Sequence, residues 1–212
     1  MLEIKCLILG NLQTNTYLLV DTESKEMVII DAADQAQHIS HIIEQNGWKP
    51  CEIWITHAHF DHIGAANKLA ALYAIPIALH HDDLILWRMD GGAPLFGIHF
   101  EAGNEPQNII SNGTVLSVGA YRFEVRHIPG HSSGHVVYYC AEQGLLISGD
   151  VLFKGSVGRT DLPGGNWPQL VKGIRQHILT LPDDTRVLAG HGEETTVGNE
   201  KQFNPYLSAE FI

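Results

Sequence analysis

Residues 57–62 read His-Ala-His-Phe-Asp-His and follow directly on the apolar run Ile53-Trp54-Ile55. Side chains two apart in an extended segment point the same way, so His57 and His59 can bind one ion. Neutral imidazole is a common ligand for ions such as zinc, and a neighbouring carboxylate can hold a second ion or a water molecule. This stretch therefore predicts a metal site where a strand gives way to a helix.

Asp61 and His62 come just before a predicted helix over 63–73, and we expect them to turn toward a second ion. The alternative is a His-rich surface loop, because a chain with 13 His in 212 residues forms some clusters by chance. Four potential ligands within six residues at a strand end are much rarer by chance than an isolated His pair. We therefore favour a metal site.

Composition excludes several classes of protein. With 44% hydrophobic and 17% charged residues, the chain reads as an ordinary globular protein, and we expect one domain over 1–212. The net charge is −11, and the 13 Lys and Arg form no run. A phosphate backbone would be repelled at long range, so we expect no nucleic-acid partner.

The three cysteines, Cys6, Cys51 and Cys140, are widely spaced and form no Cys-x-x-Cys. This pattern predicts neither a disulfide framework nor a thiolate zinc site, and we expect all three to be small buried side chains. No apolar run approaches the 18 residues that a membrane span needs, and charged residues interrupt the first residues of the chain. The sequence therefore predicts a soluble, cytoplasmic protein without a membrane partner.

Hydrophobic periodicity predicts two halves that each run from strands to helices. Helix 63–73 should place Leu69, Leu72 and Tyr73 on one face, and 80–112 reads as irregular. The first three strands suggest an antiparallel meander, and the two halves together predict an α/β fold of two packed sheets with helices outside, a four-layer αββα sandwich. The predicted strands are 2–9, 16–21, 27–31, 51–56, 75–79, 114–118, 121–128, 136–140, 145–148 and 186–189, and the helices are 36–45, 63–73, 168–181 and a tail over 194–207 broken at Pro205.

Three later residues, His131, Asp150 and His191, each follow a predicted strand. Taken singly, His131 and His191 could be turn residues without a function, and Asp150 could be a turn or helix cap. Loops at strand ends are also where sites are assembled on rigid scaffolds. Their occurrence together with the first cluster favours one shared site.

The ordered pattern of His57, His59, Asp61 and His62, then His131, Asp150 and His191, resembles the metallo-β-lactamase superfamily. The resemblance implies an αββα sandwich with two divalent ions at one edge, zinc being expected and iron or manganese the alternatives. It places one ion on His57, His59 and His131 and the other on Asp61, His62 and His191, with Asp150 bridging them.

The remaining histidines are interpreted differently. Asp31, at a strand end, and His135 are expected to hydrogen-bond to the ligands and orient them. A lone His is seldom a ligand without partners, so no other His is expected to bind metal. We expect His80 and His81 to cap or solvate the next turn, and the helical His38, His41 and His177 to be exposed.

Within the superfamily the chain resembles the glyoxalase II group, especially its short bacterial members without the helical C-terminal domain. The matching segments are Ser-Gly-Asp-Val-Leu-Phe at 148–153, Gly-Arg-Thr-Asp at 158–161 and Gly-His-Gly-Glu-Glu-Thr-Thr-Val-Gly-Asn-Glu at 190–200. The implied activity is hydrolysis of small S-2-hydroxyacyl thioesters such as S-lactoylglutathione. A metal-bridging hydroxide would attack the carbonyl while Asp61 orients it, in a monomer or small homo-oligomer.

The sequence departs from the longer family members at the thiol-binding positions. Arg159 stands near the position of a glutathione-binding Lys, while Asp161 and Glu193 occupy aromatic positions. Arg159 either binds a substrate carboxylate or pairs with Asp161. Glutathione is therefore a weaker expectation than thioester hydrolysis.

Other functions remain open from the sequence. The Gly-Arg-Thr-Asp segment also resembles persulfide dioxygenases of the same fold, in which one iron would take His57, His131 and Asp150. A metal-binding protein without turnover is a third reading, although a degenerate site should have lost ligands and none is lost. A nuclease would need a basic surface, and a secreted β-lactamase an export signal.

Overall fold

The computed structural model describes residues 1–207 and contains a first six-stranded sheet in the order β1-β2-β3-β4-β5-β6. Strands β1 to β3 pair antiparallel, as the predicted meander requires, and the following pairs are parallel. The bounds are β1 Leu2–Leu9, β2 Thr14–Asp21, β3 Glu26–Ile30, β4 Lys49–Trp54, β5 Ile77–His80 and β6 Asn108–Ile110.

The second sheet also has six strands, in the order β14-β13-β10-β9-β8-β7. Its pairs are antiparallel except β10 with β13, which is parallel. A short hairpin of β11 and β12 stands apart. The bounds are β7 Val115–Val118, β8 Tyr121–His127, β9 Val136–Cys140, β10 Leu145–Gly149, β11 Leu152–Phe153, β12 Ser156–Val157, β13 Arg186–Ala189 and β14 Thr195–Thr196.

Within residues 1–207 six α-helices accompany these strands, and some of their ends carry recognisable caps. The Asn166 side chain accepts a hydrogen bond from the Gln169 amide and starts α5, while Gly47 ends α1 in the left-handed conformation. The helices are α1 Ala36–Asn46, α2 Phe60–Ile63, α3 Ala66–Tyr73, α4 Leu84–Arg88, α5 Trp167–His177 and α6 Val197–Phe203.

Three hydrophobic clusters separate the four layers. Strand β2 is buried along its whole length because its alternate residues enter two of them. Leu18 and Val20 pack with residues of α1 and α3, whereas Tyr17 and Leu19 face the second sheet. A third cluster packs α5 on the outer face of the second sheet. The predicted αββα sandwich is confirmed.

Most predicted elements are present, with several differences. The predicted helix 63–73 is found as α3, which begins at Ala66, and the shorter α2 precedes it. Because α2 begins at Phe60, Asp61 and His62 lie inside a helical turn rather than before one. Leu72 was expected on the apolar face but is 58% exposed. The segment 80–112, read as irregular, includes α4 and β6. Strands of two or three residues such as β6, β11 and β12 are too short to show alternation.

The cysteine prediction is correct only for Cys140, which is buried; Cys6 and Cys51 are exposed on the first sheet. Cys6 lies on β1, the edge strand, where alternate side chains face solvent. No helix within residues 1–207 is both long enough and apolar enough to cross a membrane.

Candidate metal centre

The loops at one edge of both sheets bring the seven predicted ligands together. His57 and His59 follow β4, and Asp61 and His62 lie in α2. His131 follows β8, Asp150 directly follows β10, and His191 comes two residues after β13. Five of the seven are buried, and Asp61 and His191 keep 15% and 30% of their side-chain surface exposed toward the cavity.

Three of these histidines converge on one point. The Nε2 atom of His131 lies 3.2 Å from Nε2 of His57 and 2.9 Å from Nδ1 of His59. Two nitrogens that each bind zinc at about 2.1 Å in a tetrahedral arrangement lie about 3.4 Å apart. The spacing of the three histidines is close to that value.

Asp61, His62 and His191 form a second group beside the first. Oδ2 of Asp61 lies 3.4 Å from Nε2 of His62 and 3.3 Å from Nε2 of His191. The Asp61 carboxylate is also held by the Thr14 hydroxyl, which donates to Oδ2 over 2.9 Å. This group offers one carboxylate oxygen and two imidazole nitrogens.

Asp150 stands between the two groups. Its Oδ1 is 3.5 Å from Nε2 of His62, and its Oδ2 is 3.6 Å from Nε2 of both His131 and His191. Gly190 is required beside it, because a Cβ there would collide with Oδ1 of Asp150. One carboxylate therefore faces ligands of both groups.

Two observations test whether these residues suit metal ions. Nε2 of His62 and Oδ1 of Asp150 are buried and have no hydrogen-bond partner in the described chain. Buried polar atoms are normally paired, so an orphaned pair facing each other suits a bound cation. The donor set of nitrogen and carboxylate oxygen fits zinc, iron and manganese.

The second ring nitrogen of four histidines is occupied by an acceptor. Nδ1 of His62 donates to Oδ2 of Asp31 over 2.9 Å, and Nδ1 of His131 to the Arg159 carbonyl over 2.8 Å. Nδ1 of His57 pairs with the Thr56 hydroxyl over 3.0 Å, and Nδ1 of His191 with the Leu12 carbonyl over 3.1 Å. Such contacts fix the tautomer and leave Nε2 free to bind metal.

Asp31 and His135, the two residues expected to orient the ligands, lie behind these side chains. The Asp31 carboxylate accepts from the Thr56 amide and hydroxyl, each over 2.7 Å, as well as from His62. Nε2 of His135 accepts from the Asp150 amide over 2.9 Å, and its ring stacks on that of His57 at 4.5 Å. Both residues therefore hold ligand-bearing segments in place.

The sequence reasoning missed Asp83, which is fully buried beside the centre. Its Oδ2 accepts from the Ala58 amide over 2.9 Å and from the Ser132 hydroxyl over 2.8 Å, and its Oδ1 accepts from the Gly134 amide over 2.5 Å. One carboxylate thus ties the loop of His57 and His59 to the loop of His131. An acid shortly after β5 was the signal that could have found it.

The electrostatics of the centre favour cations. Burial and the neighbouring imidazoles hold the pKa of His57 well below its usual range and lower that of His59 to about 3, so these rings stay neutral. Burial opposes a charge on His62, yet Asp61, Asp150 and Asp31 raise its pKa. Burial also opposes ionisation of Asp61, but His62 and His191 lower its pKa to about 2. Ionised carboxylates therefore lie beside the neutral imidazoles of His57 and His59 and favour a positive charge at His62, the position where a metal cation would replace the proton.

A cavity of about 350 Å³ opens onto the centre. It exposes ligand candidates on one side and apolar side chains on the other, with Arg159 at the rim. The Arg159 guanidinium forms two 2.7 Å hydrogen bonds to Asp161, which is the loop ion pair that the sequence left as one of two possibilities. The lining residues are Leu12, His59, Phe60, Asp61, Phe96, Ile98, His131, Asp150, Arg159, Leu162 and His191.

A separate group of His80, Asp82 and His127 is a poor metal site. The rings of His80 and His127 stack at 4.0 Å with an interplanar angle of 18°, so their in-plane lone pairs run nearly parallel and do not converge. His80 instead accepts a hydrogen bond from the Asp82 amide and caps the turn, as expected from the sequence. His38 and His41 are exposed, whereas His177, expected to be exposed, is half-buried, and its backbone carbonyl accepts a hydrogen bond from Arg126 of β8.

Two facing sheets with a cluster of five imidazoles and two carboxylates at one edge define an αββα metalloprotein. The family model described as the metallo-β-lactamase superfamily matches residues 9–191. The chain therefore belongs to the metallo-β-lactamase superfamily, a family that binds divalent metal ions.

Curated relatives cover almost the whole chain. The probable metallo-hydrolase YqgX of Bacillus subtilis is 40% identical over 202 residues, 94% of this chain and 94% of the relative. The hydroxyacylglutathione hydrolase GloC of Haemophilus influenzae is 34% identical over 201 residues, 93% of this chain and 94% of that protein. The chain is therefore similar to metallo-hydrolases of its own length.

Solved structures agree with this assignment. BLEG-1, described as a B3 metallo-beta-lactamase, superposes with a TM-score of 0.92 at 38% identity, covering 98% of this chain and 100% of the other. TTHA1623 in a di-iron-bound form gives a TM-score of 0.88 at 39% identity, covering 96% of this chain and 100% of that one.

Proposed function

We propose that this protein is a metal-dependent hydrolase of S-2-hydroxyacyl thioesters of the S-lactoylglutathione type. The observation that carries the proposal is the composition of the cavity beside the candidate metal centre. Its lining residues, all within the described chain, include no Ser, Thr, Cys or Lys that could attack a carbonyl. Because the carboxylates and imidazoles of the lining serve as metal ligands in this proposal, water is the nucleophile, and these ligands with their ions activate it.

The two groups of ligands have separate tasks in this proposal. His57, His59 and His131 hold one divalent ion, Asp61, His62 and His191 hold the other, and Asp150 faces both. Such ions, when bound, lower the pKa of a coordinated water to about 7 and polarise a carbonyl oxygen. Zinc is the expected metal, and iron is supported by the di-iron form of the similar TTHA1623.

The side chains of the protein position the reactants. Asp61 is held by the Thr14 hydroxyl and reaches the cavity, so it can accept a hydrogen bond from the water and orient it. Water adds to the acyl carbon, the carbon–sulfur bond breaks, and acid and thiol are released. The leaving group is a thiolate whose conjugate thiol has a pKa of about 8.5, so it needs little help from a general acid. This suits a cavity whose lining offers no obvious proton donor.

Sequence similarity supports the same reaction. GloC is named a hydroxyacylglutathione hydrolase, and its 34% identity extends over 93% of this chain. The segments at 148–153, 158–161 and 190–200 that resemble glyoxalase II lie around Asp150, Arg159 and His191. These residues line the cavity.

A persulfide dioxygenase is the second candidate function. His57 and His131 approach to 3.2 Å, and Asp150 lies 3.6 Å from His131, so a set of two histidines and one carboxylate exists within the larger centre. That set suits a single iron ion in oxygen chemistry. The additional group of Asp61, His62 and His191 favours two ions and hydrolysis instead.

One experiment on purified protein separates these functions. Metal content is measured together with S-lactoylglutathione hydrolysis and persulfide-dependent oxygen uptake. The proposal expects two ions per chain and thioester cleavage without oxygen uptake. One iron with oxygen uptake and no cleavage would contradict it, and metal without either activity would indicate a non-catalytic binding protein.

A substitution tests the second group directly. Asp61→Ala should leave about one ion per chain and remove most of the turnover, because the carboxylate is both a ligand and the group that orients water. Asp184→Ala, an exposed acid in the loop before β13, is the matched control and should retain two ions. Unchanged turnover in Asp61→Ala would count against two-metal catalysis.

A further inference from the structure

Large apolar side chains that are unusually exposed surround one side of the cavity. Leu12 is 53% exposed, Phe96 49% and Ile98 42%. They line the cavity together with the Phe60 ring, whose centroid lies 5.9 Å from that of the Phe96 ring. Exposed apolar groups that adjoin one another mark binding surfaces. We name Leu12, Phe60, Phe96, Ile98 and Leu162, all lining residues of the cavity, the apolar wall.

The apolar wall extends beyond the metal centre into a neighbouring cavity of about 360 Å³. The two cavities share Leu12, Phe60, Asp61 and Ile98, so a chain could leave the centre and remain in contact with apolar side chains. Lys68 lines the second cavity, but the Asp34 carboxylate lines it as well. Its large apolar side chains outnumber its three charged ones, so the path favours apolar groups; they are Leu9, Leu12, Phe60, Ile98 and Phe100.

The cations at the mouth already have carboxylate partners. Arg159, the one cation among the residues that line the first cavity, is paired twice with Asp161. Lys154, which is outside the set of lining residues, is paired with Glu193, two residues after His191, over 2.5 Å. Exchanging one carboxylate partner for another gives little net attraction, because exposed ion pairs contribute little in either case. Among the residues that line the first cavity, the anionic thiol glutathione thus finds no Lys or Arg without a carboxylate partner.

We infer that the apolar wall binds the thiol part of the substrate, and that this part is an uncharged aliphatic chain rather than glutathione. The inference rests on the proposed function: a 2-hydroxyacyl group is small and polar, so only the thiol part can cover the wall. The net charge of −11 further disfavours a thiol that carries carboxylates. This assigns a substrate class to the site that its metal ligands alone do not encode.

The test compares thioesters that share the lactoyl group. The four thiols are glutathione, N-acetylcysteamine, butanethiol and hexanethiol. Burying one methylene contributes about 0.8 kcal/mol at most, which is about fourfold, so on a half-exposed wall kcat/KM should rise about two- to fourfold per added methylene. The hexyl thioester should therefore exceed both the N-acetylcysteamine and the glutathione thioesters.

Two substitutions and one control variant locate the effect. Ile98→Ala should flatten the dependence of kcat/KM on chain length, with the largest loss for the hexyl thioester. The matched control is Ile109→Ala, because Ile109 is 48% exposed but lies on edge strand β6 and does not line the cavity. Asp161→Asn should raise the relative use of the glutathione thioester by freeing Arg159.

The outcomes distinguish the two proposals. A kcat/KM for S-lactoylglutathione above that of the hexyl thioester would overturn the apolar thiol site and leave the hydrolase proposal standing. An equal loss of chain-length dependence in Ile98→Ala and Ile109→Ala would also overturn the site. Failure of the metal-loaded protein to cleave any of the four would overturn both.

Discussion

Replacing Asp83 by asparagine isolates the contact that joins the two ligand-bearing loops. The carboxylate accepts three hydrogen bonds, from the amides of Ala58 and Gly134 and from the hydroxyl of Ser132. An asparagine that keeps its oxygen toward Ala58 and Ser132 must turn its NH₂ group toward the Gly134 amide. One charge-assisted bond is lost and two buried donors face each other, which costs about 2–4 kcal/mol of folding free energy.

The same substitution should weaken metal binding without touching a ligand. Asp83 holds the segment between His57 and His59 and the loop after His131, so its loss lets these histidines shift relative to one another. Contacts that orient ligands are typically worth 10- to 100-fold in metal affinity. We therefore expect Asp83→Asn to weaken zinc at the three-histidine group by that factor, with a smaller change at the group of Asp61 and His191.

The assay pairs urea unfolding of the metal-free protein with zinc affinity measured by chelator competition. Asp82→Asn is the matched control, because the neighbouring Asp82 side chain is 42% exposed and contacts histidines outside the metal centre, His81 at 2.9 Å, His80 at 3.7 Å and His127 at 3.9 Å. The control should change stability by less than about 0.5 kcal/mol and leave zinc affinity unchanged. Equal effects of the two substitutions would refute the positioning role of Asp83.

Two further predictions concern buried groups away from the centre. Burial and the adjacent His127 and His81 lower the pKa of His80 to about 4. The unfolded chain therefore binds more protons than the folded chain between about pH 4 and 6.5. The free energy of unfolding should fall by at most about 3 kcal/mol as the pH drops through that range. In His80→Asn, which keeps an acceptor for the turn but does not titrate, urea unfolding across this range should show a shallower pH dependence; an identical slope would contradict the assignment. Glu200 is fully buried and accepts four hydrogen bonds, from Gly155, Thr195, Asn199 and Asn204. Glu200→Gln should therefore lower the free energy of unfolding by about 2–4 kcal/mol, measured by thermal or urea unfolding. The exposed control Glu142→Gln should leave it almost unchanged.

The part of the site that sequence could predict is the part with a local pattern. His57 to His62 stand together in the chain, and His131, Asp150 and His191 each follow an apolar strand, so their positions at one edge followed from topology. Their role as metal ligands stays a prediction. Asp83 was missed because it lies in 80–112, where periodicity is weak and the pairing partners are amides far away in sequence.

Fold predictions failed where tertiary contacts override local preference. The pattern over 63–73 reads as one helix, yet Gly64 packs against the Ala33 carbonyl so closely that a Cβ would clash, and the chain divides there into α2 and α3. Leu72 fits a helical apolar face, but the helix presents Ala66 and Leu69 to the core and leaves Leu72 outside. Neither outcome is visible in a window of adjacent residues.

The central claim is that one centre holds two ions on either side of Asp150. Crystals of the zinc-loaded protein, measured at the zinc absorption edge, test this most directly. The account predicts two anomalous peaks about 3.5–4 Å apart, one within reach of His57, His59 and His131 and the other within reach of Asp61, His62 and His191. A single peak on the three histidines, with none beside Asp61 in fully loaded protein, would contradict it.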